Sequence, residues 1–285
     1  MENGVINKMI NKIDTIKLFF KKRRFVAQYK LFFSEEWLEV SVKSVVDYMY
    51  KILFVVSNVA WGDDPKNPKI SGDNLEPILN KLKTKYPEKV IIIRGDYNKQ
   101  LMHVQTGLDY IKKEIPEATH CLYIDGDEIY TKQQITTLLG LAKRFKYFNK
   151  AIRINYNTYF KTIYYKVWPI KYPTALVLFP ILPWVKYRNS RNVNAKIEDI
   201  PSLFYEHPGY VRNSEQKMKD KIKAHMETEQ INGDWYHDVW VNWTPEHTNF
   251  HPTTPEFWEK VIPVKKEELP KVMVDTYENW KSNAH

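Results

Sequence analysis

The chain has 285 residues, of which 43% are hydrophobic and 27% charged, and its formal net charge is +9 at pH 7. This composition is ordinary for a globular protein and excludes collagen-like and low-complexity chains. The sequence has no apolar run near the roughly 20 residues of a membrane-spanning helix, and no secretory signal peptide is recognisable. The single cysteine, Cys121, cannot form an internal disulfide, so we expect a cytoplasmic chain.

Much of the positive charge lies near the N-terminus, in a segment of residues 1–23. The basic residues there are Lys8, Lys12, Lys17, Lys21, Lys22 and Arg23, followed directly by Arg24. Between them, at close to helical spacing, lie Ile6, Met9, Ile10, Ile13, Ile16 and Phe20. This pattern is typical of a basic amphipathic helix on a membrane surface, here the inner face of a membrane. A surface helix packed on the main domain gives the same pattern, and we favour that interpretation.

From residue 24 the pattern predicts alternating strands and helices. Strands are predicted over residues 24–33, 51–56, 90–93 and 120–124, where apolar runs are typical of a buried parallel sheet. Helices are predicted over residues 35–49, with Ser34 as N-cap, and over 74–85, 99–113 and 133–144. This order predicts a right-handed, doubly wound α/β sheet.

After residue 150 the pattern changes. Residues 151–179 alternate aromatic and polar residues and predict antiparallel strands. Residues 184–205 predict a loop with a short strand, residues 217–227 a polar helix, and the remainder short elements. Without a flexible linker, we expect one compact unit.

Two carboxylates one residue apart follow the fourth predicted strand. Asp125 and Asp127 can face a single hard cation such as Mn²⁺ or Mg²⁺, and Gly126 between them permits close approach of the backbone to a ligand. Such a cation would bridge the two phosphates of a nucleotide sugar and offset charge on the departing diphosphate. A solvated turn is the alternative, but the position at a strand end favours a metal site.

Several stretches resemble family-2 glycosyltransferases: SEEWLEVSVKSVVDYMYKILFVV, HCLYIDGDEIYT, EHPGYVRNSEQKMKDKI and FHPTTPEFWEKV. The resemblance covers residues 24–270. It implies a GT-A (Rossmann-like) doubly wound mixed sheet with a C-terminal acceptor-side extension. Residues 24–150 would form the nucleotide-sugar-binding half and residues 151–285 the acceptor-side half. The chain departs from the family pattern at Ser34, where Asn is usual, and at Ser57-Asn58, where an acidic residue is expected.

The resemblance also implies roles for single residues. Asp125 and Asp127 would hold the metal and the diphosphate, and His207 would complete the coordination of the cation. Arg212, Lys217 and Lys221 would approach the diphosphate, and the two lysines share one helix face. A solvated helix face is the alternative for these lysines.

Polar residues after the other strands are candidates for nucleotide contacts. They are Ser34, Glu35, Asn58, Arg94 and Asp96, together with Lys99 and His103 at the start of the next helix. Each of these residues alone could be an ordinary polar residue of a loop. The carboxyl ends of these strands should meet at one edge of the sheet, however, and would bring the residues together there. A helix N-terminus there would also favour negative charge.

Late in the chain, aromatic residues accompany two carboxylates. The aromatic residues are Trp235, Tyr236, Trp240, Trp243 and Trp258. We expect most of them in the core and one or two at the acceptor. An inverting transferase needs a general base for the acceptor hydroxyl, and of Asp234 and Asp238 we choose Asp238.

The predicted function is metal-dependent transfer of a sugar from a nucleotide-diphosphate sugar to a glycan, lipid-linked or protein-linked acceptor. A nucleotidyltransferase would use the same acidic metal site. Such enzymes usually have an early glycine-rich phosphate-binding loop, but residues 31–40 contain no glycine. A non-catalytic nucleic-acid-binding protein is compatible with the positive charge, but the sequence has no compact recognition motif. We therefore predict no nucleic-acid partner.

Overall fold

The structure, a computed structural model, describes residues 2–66, 72–171, 174–226, 231 and 233–283, and for residues 2–10, 224–226 and 283 it describes the backbone alone. The side chains of Ile6, Lys8, Met9 and Ile10, which belong to the predicted amphipathic pattern, therefore lie outside the described part. So does Glu227, the predicted end of the polar helix.

The described residues form helices and strands in alternation. The α-helices are α1 (Glu2–Phe20), α2 (Glu35–Val45), α3 (Glu76–Lys85), α4 (Gln100–Glu114), α5 (Lys132–Leu141), α6 (Glu215–Met226) and α7 (Lys271–Asn283). The strands are β1 (Phe25–Leu31), β2 (Lys51–Ser57), β3 (Val90–Gly95), β4 (His120–Asp125), β5 (Ala151–Phe160), β6 (Thr162–Trp168), β7 (Ala175–Pro180), β8 (Tyr187–Asn189), β9 (Asn192–Val193), β10 (Ile197–Tyr210) and β11 (Lys260–Pro263). Short 3₁₀ helices cover Val46–Tyr48, Pro255–Phe257 and Lys266–Glu268, and a π-helix covers Tyr236–Val241.

Nine of these strands form one mixed sheet, in the order β11-β6-β5-β7-β4-β1-β2-β3, with β10 paired to β5. Strands β1 to β4 are parallel to one another, whereas β7 is antiparallel to both β4 and β5. Strands β8 and β9 form a separate hairpin. This arrangement confirms the predicted Rossmann-like, mixed α/β sheet, with a C-terminal extension on the β6 side.

Helices cover both faces of the parallel strands, which explains the continuous apolar runs. Every residue of β1 is buried. On one face Phe54 packs with apolar residues of α2, α3 and α5, and on the other Val55 packs with those of α4. Because neighbouring residues of a strand point to opposite faces, a strand covered on both sides has no polar face.

The predicted helices and strands of residues 24–150 agree with the structure to within a few residues at their ends. Ser34 is the N-cap of α2, but its side chain makes no capping hydrogen bond. The Asp73 carboxylate takes that role and accepts a hydrogen bond from the backbone N–H of Glu35 at 2.9 Å. The connection between β2 and α3 thus supplies the cap that Ser34 was expected to provide.

Two regions of the second half differ from the sequence prediction. The predicted loop of residues 184–205 contains the β8–β9 hairpin and the first half of the long strand β10. Strand β10 runs parallel to β5, and its register shifts between Ile200 and Phe204, around Pro201. The bulge interrupts the alternation of apolar and polar residues by which a strand is recognised in a sequence. Because β10 is parallel to β5, no hairpin turn between the two strands marks it either. Helix α7, which contributes Met273 and Val274 to a cluster around Trp37, was also not predicted.

The late aromatic residues pack around Phe160, which is fully buried. The Phe160 ring centroid lies 5.2 Å from that of Trp240, 5.3 Å from Trp243 and 5.7 Å from Trp258. Trp235, Tyr236, Trp240 and Trp258 are buried. As expected, most of the late aromatic residues therefore belong to the core.

None of the helices within the described ranges combines the length and hydropathy that a membrane span requires.

We expect Phe160→Ala to lower the free energy of unfolding by about 3–5 kcal/mol, because it removes a fully buried ring from the centre of this cluster. The matched control is Phe145→Ala, since Phe145 is 76% exposed and its loss should change the free energy of unfolding by about 0.5 kcal/mol or less. Chemical denaturation measures both variants. Equal effects of the two substitutions would contradict this account of the core.

Candidate active site at the carboxyl edge of the sheet

A cavity of about 300 Å³ lies where β1 and β4 end. Its polar wall is formed by Lys30, Asp125, Asp127, Arg191, His207 and Lys221. These residues come from β1, the end of β4, the β8–β9 hairpin, β10 and α6. A second wall contains Phe32, Phe33, Ala60 and Trp61. The cavity therefore joins a strongly charged side to an aromatic one.

Asp125 is the last residue of β4 and lies opposite Lys30 of β1 in the parallel register. The Lys30 Nζ atom is 3.6 Å from Asp125 Oδ1, and the Arg191 guanidinium contacts Oδ2. Burial acts to raise the pKa of Asp125, but the positive charges of Arg191 and Lys30 outweigh it, so the pKa is lowered from its ordinary value. The Asp125 carboxylate is therefore ionised and paired on both oxygens.

Asp127 faces a different set of groups. Its Oδ1 atom lies 3.6 Å from His207 Nε2, and its Oδ2 atom lies 3.3 Å from Arg212 Nη2 and 3.7 Å from Lys221 Nζ. Burial opposes ionisation, but the charges around this carboxylate lower the pKa of Asp127 well below its usual range. Asp127 is thus also ionised.

Two glycines allow this close packing. A Cβ atom on Gly126 would overlap the side chain of Ser34. A Cβ atom on Gly209 would lie 2.7 Å from His207 Nε2 and 3.0 Å from Asp127 Oδ2. The Pro208-Gly209 segment therefore leaves open the space between the imidazole and the carboxylate.

His207 is a neutral imidazole in this setting, because burial lowers its pKa to about 4. Its Nδ1 atom is buried and makes no hydrogen bond to any described residue. Its Nε2 atom faces Asp127. A neutral ring nitrogen beside an ionised carboxylate is the donor chemistry that a divalent cation accepts.

The basic partners are held by further acidic groups. Arg212 donates to Glu36 Oε2 at 2.9 Å, and Glu36 Oε1 also accepts the backbone N–H of Asn213 at 2.6 Å. Arg191 donates to Glu128 Oε1 at 3.1 Å. Burial raises the pKa of Glu128 to about 7, whereas burial lowers the pKa of Lys221 to about 8.

Sequence reasoning missed Lys30, Glu36 and Arg191. Arg191 lies in the polar turn of a short hairpin, and nothing in the residues around it distinguishes this arginine from a solvent-exposed one. Lys30 lies in a strand whose other residues are mostly apolar, so it was not considered as a site residue. A lysine in a strand expected to be buried nevertheless indicates a charged partner. That signal was available in the sequence.

Other predicted residues lie at the same edge of the sheet but do not line the cavity. Asn58 donates to Asp96 at 2.9 Å, Arg94 pairs with Glu76 at 2.7 Å, and Lys99 is exposed at the start of α4.

Glu35 and Lys217 pair with each other at 2.8 Å and line a separate cavity of about 440 Å³ between α2 and α7. The two lysines expected to act together are thus separated: Lys221 reaches the site and Lys217 does not.

His103 and Asp238 also lie away from the polar wall. His103 is fully buried, with Nε2 2.7 Å from the Val55 carbonyl oxygen, while Trp61 Nε1 donates to Nδ1 at 3.3 Å. Its ring thus supports the Trp61 wall from behind. Asp238 is exposed on the π-helix and does not line the cavity.

The donor set can be tested against a divalent cation. The described residues contain no cluster of three or more His, Cys, Asp or Glu side chains arranged as a metal site. Mg²⁺ at nucleotide sites is commonly held by one or two carboxylates together with substrate phosphates, rather than by a complete protein cage. Asp125, Asp127 and the neutral His207 have the ligand types that a cation sharing its coordination with a diphosphate would need, but they are not arranged as a complete protein site.

Comparisons with known proteins find weak structural likenesses. No protein-family model and no curated protein sequence matches the chain. The structure is similar to TarS 1-349 from S. aureus at a TM-score of 0.41 and 11% identity, covering 75% of this chain and 68% of that one. A second S. aureus TarS structure gives the same TM-score and identity, with 41% of its chain covered.

A third likeness is to CMP:2-keto-3-deoxy-manno-octonic acid synthetase complexed with CTP. Its TM-score is 0.30 and its identity 13%, covering 73% of this chain and 86% of that one. At these TM-scores no activity can be carried over to this chain.

The buried histidines predict the acid stability of the fold. Burial lowers the pKa of His103 and His120, as it does that of His207, to about 4. In the unfolded chain their pKa is about 6.5, so the unfolded state takes up protons first. The stabilisation is therefore complete above about pH 6.5 and is lost as the pH falls towards about 4, by about 1.4 kcal/mol per pH unit for each histidine.

We expect His120→Gln to remove one of these contributions. The glutamine amide can still donate to the Phe148 carbonyl oxygen, which His120 Nε2 contacts at 2.7 Å. The slope of unfolding free energy against pH, measured by urea denaturation at several pH values, should fall by about 1.4 kcal/mol per pH unit between about pH 6 and pH 4.5. An unchanged slope would show that His120 titrates normally in the folded protein.

Proposed function

We propose that this chain is a glycosyltransferase that moves a sugar from a nucleotide-diphosphate sugar to an acceptor hydroxyl, with inversion and with help from Mn²⁺ or Mg²⁺. One observation carries the proposal: Asp125 and Asp127, both ionised, face one cavity at the carboxyl edge of the sheet, beside three lining cations and a neutral histidine. Ligands of doubly wound sheets bind at this edge.

The cationic groups supply the contacts that a diphosphate needs. Lys30, Arg191 and Lys221 all line the cavity, and each is paired with a carboxylate. Charge-assisted bonds to phosphate oxygens can replace or share these pairs. Arg191 is the most accessible of the three, with 37% of its side chain exposed, compared with 7% for Lys30 and 10% for Lys221. We assign the first contact with the incoming diphosphate to Arg191.

Asp125, Asp127 and His207 would hold the divalent cation. When bound, the cation would neutralise charge on the departing diphosphate. The carboxylates also orient the cations: Asp125 holds Lys30 and Arg191, while Asp127 holds Arg212 and Lys221. These groups thereby present positive charge to the leaving group without having to reorganise during the reaction.

The aromatic wall suits a planar base or a sugar ring. Trp61 is fixed from two sides, by the His103 contact and by Lys30 Nζ, which lies 4.4 Å from the Trp61 ring centroid. Lys30 therefore touches both the aromatic wall and Asp125. We propose that Phe33 and Trp61 contact the nucleoside and that Lys30 links this wall to the diphosphate.

The predicted general base lies apart from the donor cavity. Asp238, the predicted base, is exposed and outside the cavity lining. A catalytic role for it would require the acceptor to connect the π-helix with the donor cavity. A glycan, lipid-linked or protein-linked acceptor remains part of the proposal, as does peripheral membrane contact of residues 1–23 in a cytoplasmic setting.

We expect the protein to release a nucleoside diphosphate from a panel of nucleotide sugars in the presence of Mn²⁺. The double substitution Asp125→Asn and Asp127→Asn should weaken Mn²⁺-dependent binding of the nucleoside diphosphate by roughly a hundredfold or more, because it removes two ligand charges. Calorimetry with and without Mn²⁺ measures binding, and circular dichroism checks the fold.

The matched control is Asp109→Asn with Asp275→Asn, which neutralises two exposed carboxylates elsewhere. Undiminished Mn²⁺-dependent binding in the Asp125/Asp127 variant would contradict the proposed site. Release of pyrophosphate from a nucleoside triphosphate, with no reaction of any nucleotide sugar, would instead identify a nucleotidyltransferase.

Arg191→Met should weaken nucleoside diphosphate binding by about tenfold to a hundredfold, the range for a hydrogen bond to a charged group. Arg188→Met, in the same hairpin but exposed to solvent, is the control and should bind as the native protein does. Removing Arg191 also leaves Glu128 unpaired. The double variant Arg191→Met with Glu128→Gln should therefore restore stability but not binding. If it binds normally, Arg191 serves only to balance Glu128.

A further inference from the structure

Large apolar side chains are exposed at the edge of the sheet opposite to the cavity. They lie on the last turns of α1 and in the connection between α5 and β5. We call this group, Ile13, Ile16, Phe19, Phe20 and Phe145, the basal patch. Phe20 is 80% exposed, Phe145 76% and Ile16 59%. Exposed aromatic residues that cluster in this way mark interaction surfaces.

The basal patch is held together by contacts between its two segments. The Phe19 ring centroid lies 5.4 Å from those of Phe20 and Phe145 and 5.0 Å from that of Phe148. Arg23 Nε donates to the Ala142 carbonyl oxygen at 3.1 Å and so ties the end of α1 to the end of α5. Leu18, on the inner side of α1, is buried. The exposed rings are therefore presented by a packed surface.

Exposed basic residues surround the basal patch. They are Lys12, Lys17, Lys21 and Lys22 on and after α1, and Lys143, Arg144 and Lys146 beside Phe145. Lys146 is 3.8 Å from Glu198, a distant pair that leaves its side chain 66% exposed. The half-buried Asp14 is the one acidic residue of α1 between residues 11 and 20. The two patch segments thus carry seven exposed basic residues and one half-buried acidic residue.

We propose that the basal patch docks on the surface of an anionic lipid bilayer. Phe20, Phe145 and Ile16 enter the interface, and the surrounding lysines contact lipid phosphates. Aromatic and aliphatic side chains among lysines are the composition of interfacial membrane segments, and each basic residue near an anionic bilayer adds attraction. The α5–β5 connection makes this surface wider than the N-terminal segment alone.

The position of the patch determines how the molecule would sit on the membrane. Helix α1 ends shortly before β1 begins, and Phe148 accepts a hydrogen bond from His120 at the start of β4. Both patch segments therefore lie at the amino edge of the parallel strands, whereas Asp125 lies at the carboxyl edge. β1 has seven residues, and at about 3.3 Å per residue the two edges are about 20 Å apart. The bilayer would bind one edge, and the cavity would lie at the other.

This orientation has a consequence that rests on the proposed function. An acceptor hydroxyl at the level of the lipid headgroups would lie too far from Asp125 and Asp127 to react. The acceptor must reach the cavity from the aqueous side, as part of a soluble molecule or at the far end of an extended chain. Docking itself does not depend on the enzymatic activity and can be tested without a substrate.

Vesicle sedimentation tests the docking. The full chain should bind vesicles containing equal parts of phosphatidylcholine and phosphatidylglycerol, bind phosphatidylcholine vesicles weakly, and dissociate at high salt. Phe20→Ser with Phe145→Ser should lower binding roughly tenfold or more. Lys17→Glu, Lys21→Glu and Lys22→Glu together should lower it by roughly a hundredfold. The control triple, Lys132→Glu, Lys219→Glu and Lys265→Glu, makes the same charge change at exposed positions elsewhere and should bind nearly as the native protein does.

Each result has a defined meaning. Vesicle binding that neither set of patch substitutions reduces would overturn the proposal, as would equal losses in the control triple. If the patch substitutions instead convert a dimer to a monomer by light scattering, with no vesicle binding in the native protein, then the patch is a contact between copies. Circular dichroism of each variant shows whether the fold is retained.

A fluorescent label tests the orientation. A polarity-sensitive dye attached through Ile16→Cys should shift to shorter wavelength when anionic vesicles are added, because this position enters the interface. The same dye attached through Lys99→Cys, at the carboxyl edge, should not shift. The native Cys121 is fully buried and would not be labelled. A shift at Lys99→Cys without one at Ile16→Cys would reverse the orientation and exclude the proposal.

Discussion

Two carboxylates one residue apart, the half-buried Asp125 and the buried Asp127, set the constraint on which the site depends. A buried charge is tolerated only when it is paired and hydrogen-bonded. The partners come from distant parts of the chain: Lys30 from β1, Arg191 from the β8–β9 hairpin and Lys221 from α6. Pairing at one point therefore brings the β8–β9 hairpin and α6 to the ends of β1 and β4, two strands already joined by their parallel ladder. The shape of the cavity is a consequence of this pairing.

The sequence predicts the parallel half of the sheet well because its physical signals are local. Buried strands such as β2 appear as continuous apolar runs, and the intervening helices show their own periodicity. Asp125 and Asp127 were found because a strand end is where a doubly wound sheet binds ligands. The structure places His207 beside Asp127; its role as a metal ligand stays a prediction.

The remainder of the site depends on pairings between distant residues that no local pattern reveals. Arg191 reaches Asp125 because a short hairpin returns to the end of β4, and Glu36 reaches Arg212 from α2. Strand β10 was missed because its bulge near Pro201 interrupts the alternation. Of the residues predicted at the strand ends, Ser34 lines the cavity. Asn58, Arg94 and Asp96 do not, because Asn58 pairs with Asp96 and Arg94 with Glu76 instead.

Charge balance gives a reason for a divalent cation at this site. Among the described residues, the cations Lys30, Arg191, Arg212 and Lys221 are paired with the anions Glu36, Asp125, Asp127 and Glu128. The charges of these eight groups sum to zero when all are ionised, and His207 is neutral. A diphosphate would bring negative charge into a site without surplus positive charge, close to two carboxylates that repel it.

Protonation changes this balance only slightly. Burial raises the pKa of Glu128 to about 7. If the Glu128 carboxylate takes up a proton when the ligand binds, the site loses one negative charge and so offsets one negative charge of the ligand. The remaining charge of the diphosphate would still be opposed by Asp125 and Asp127, whose pKa values are held low by the cations around them. A divalent cation between these carboxylates and the phosphates would convert that repulsion into attraction on both sides. If the proposed function is correct, the acidic pair would therefore exclude a bare diphosphate and admit one that arrives with its metal.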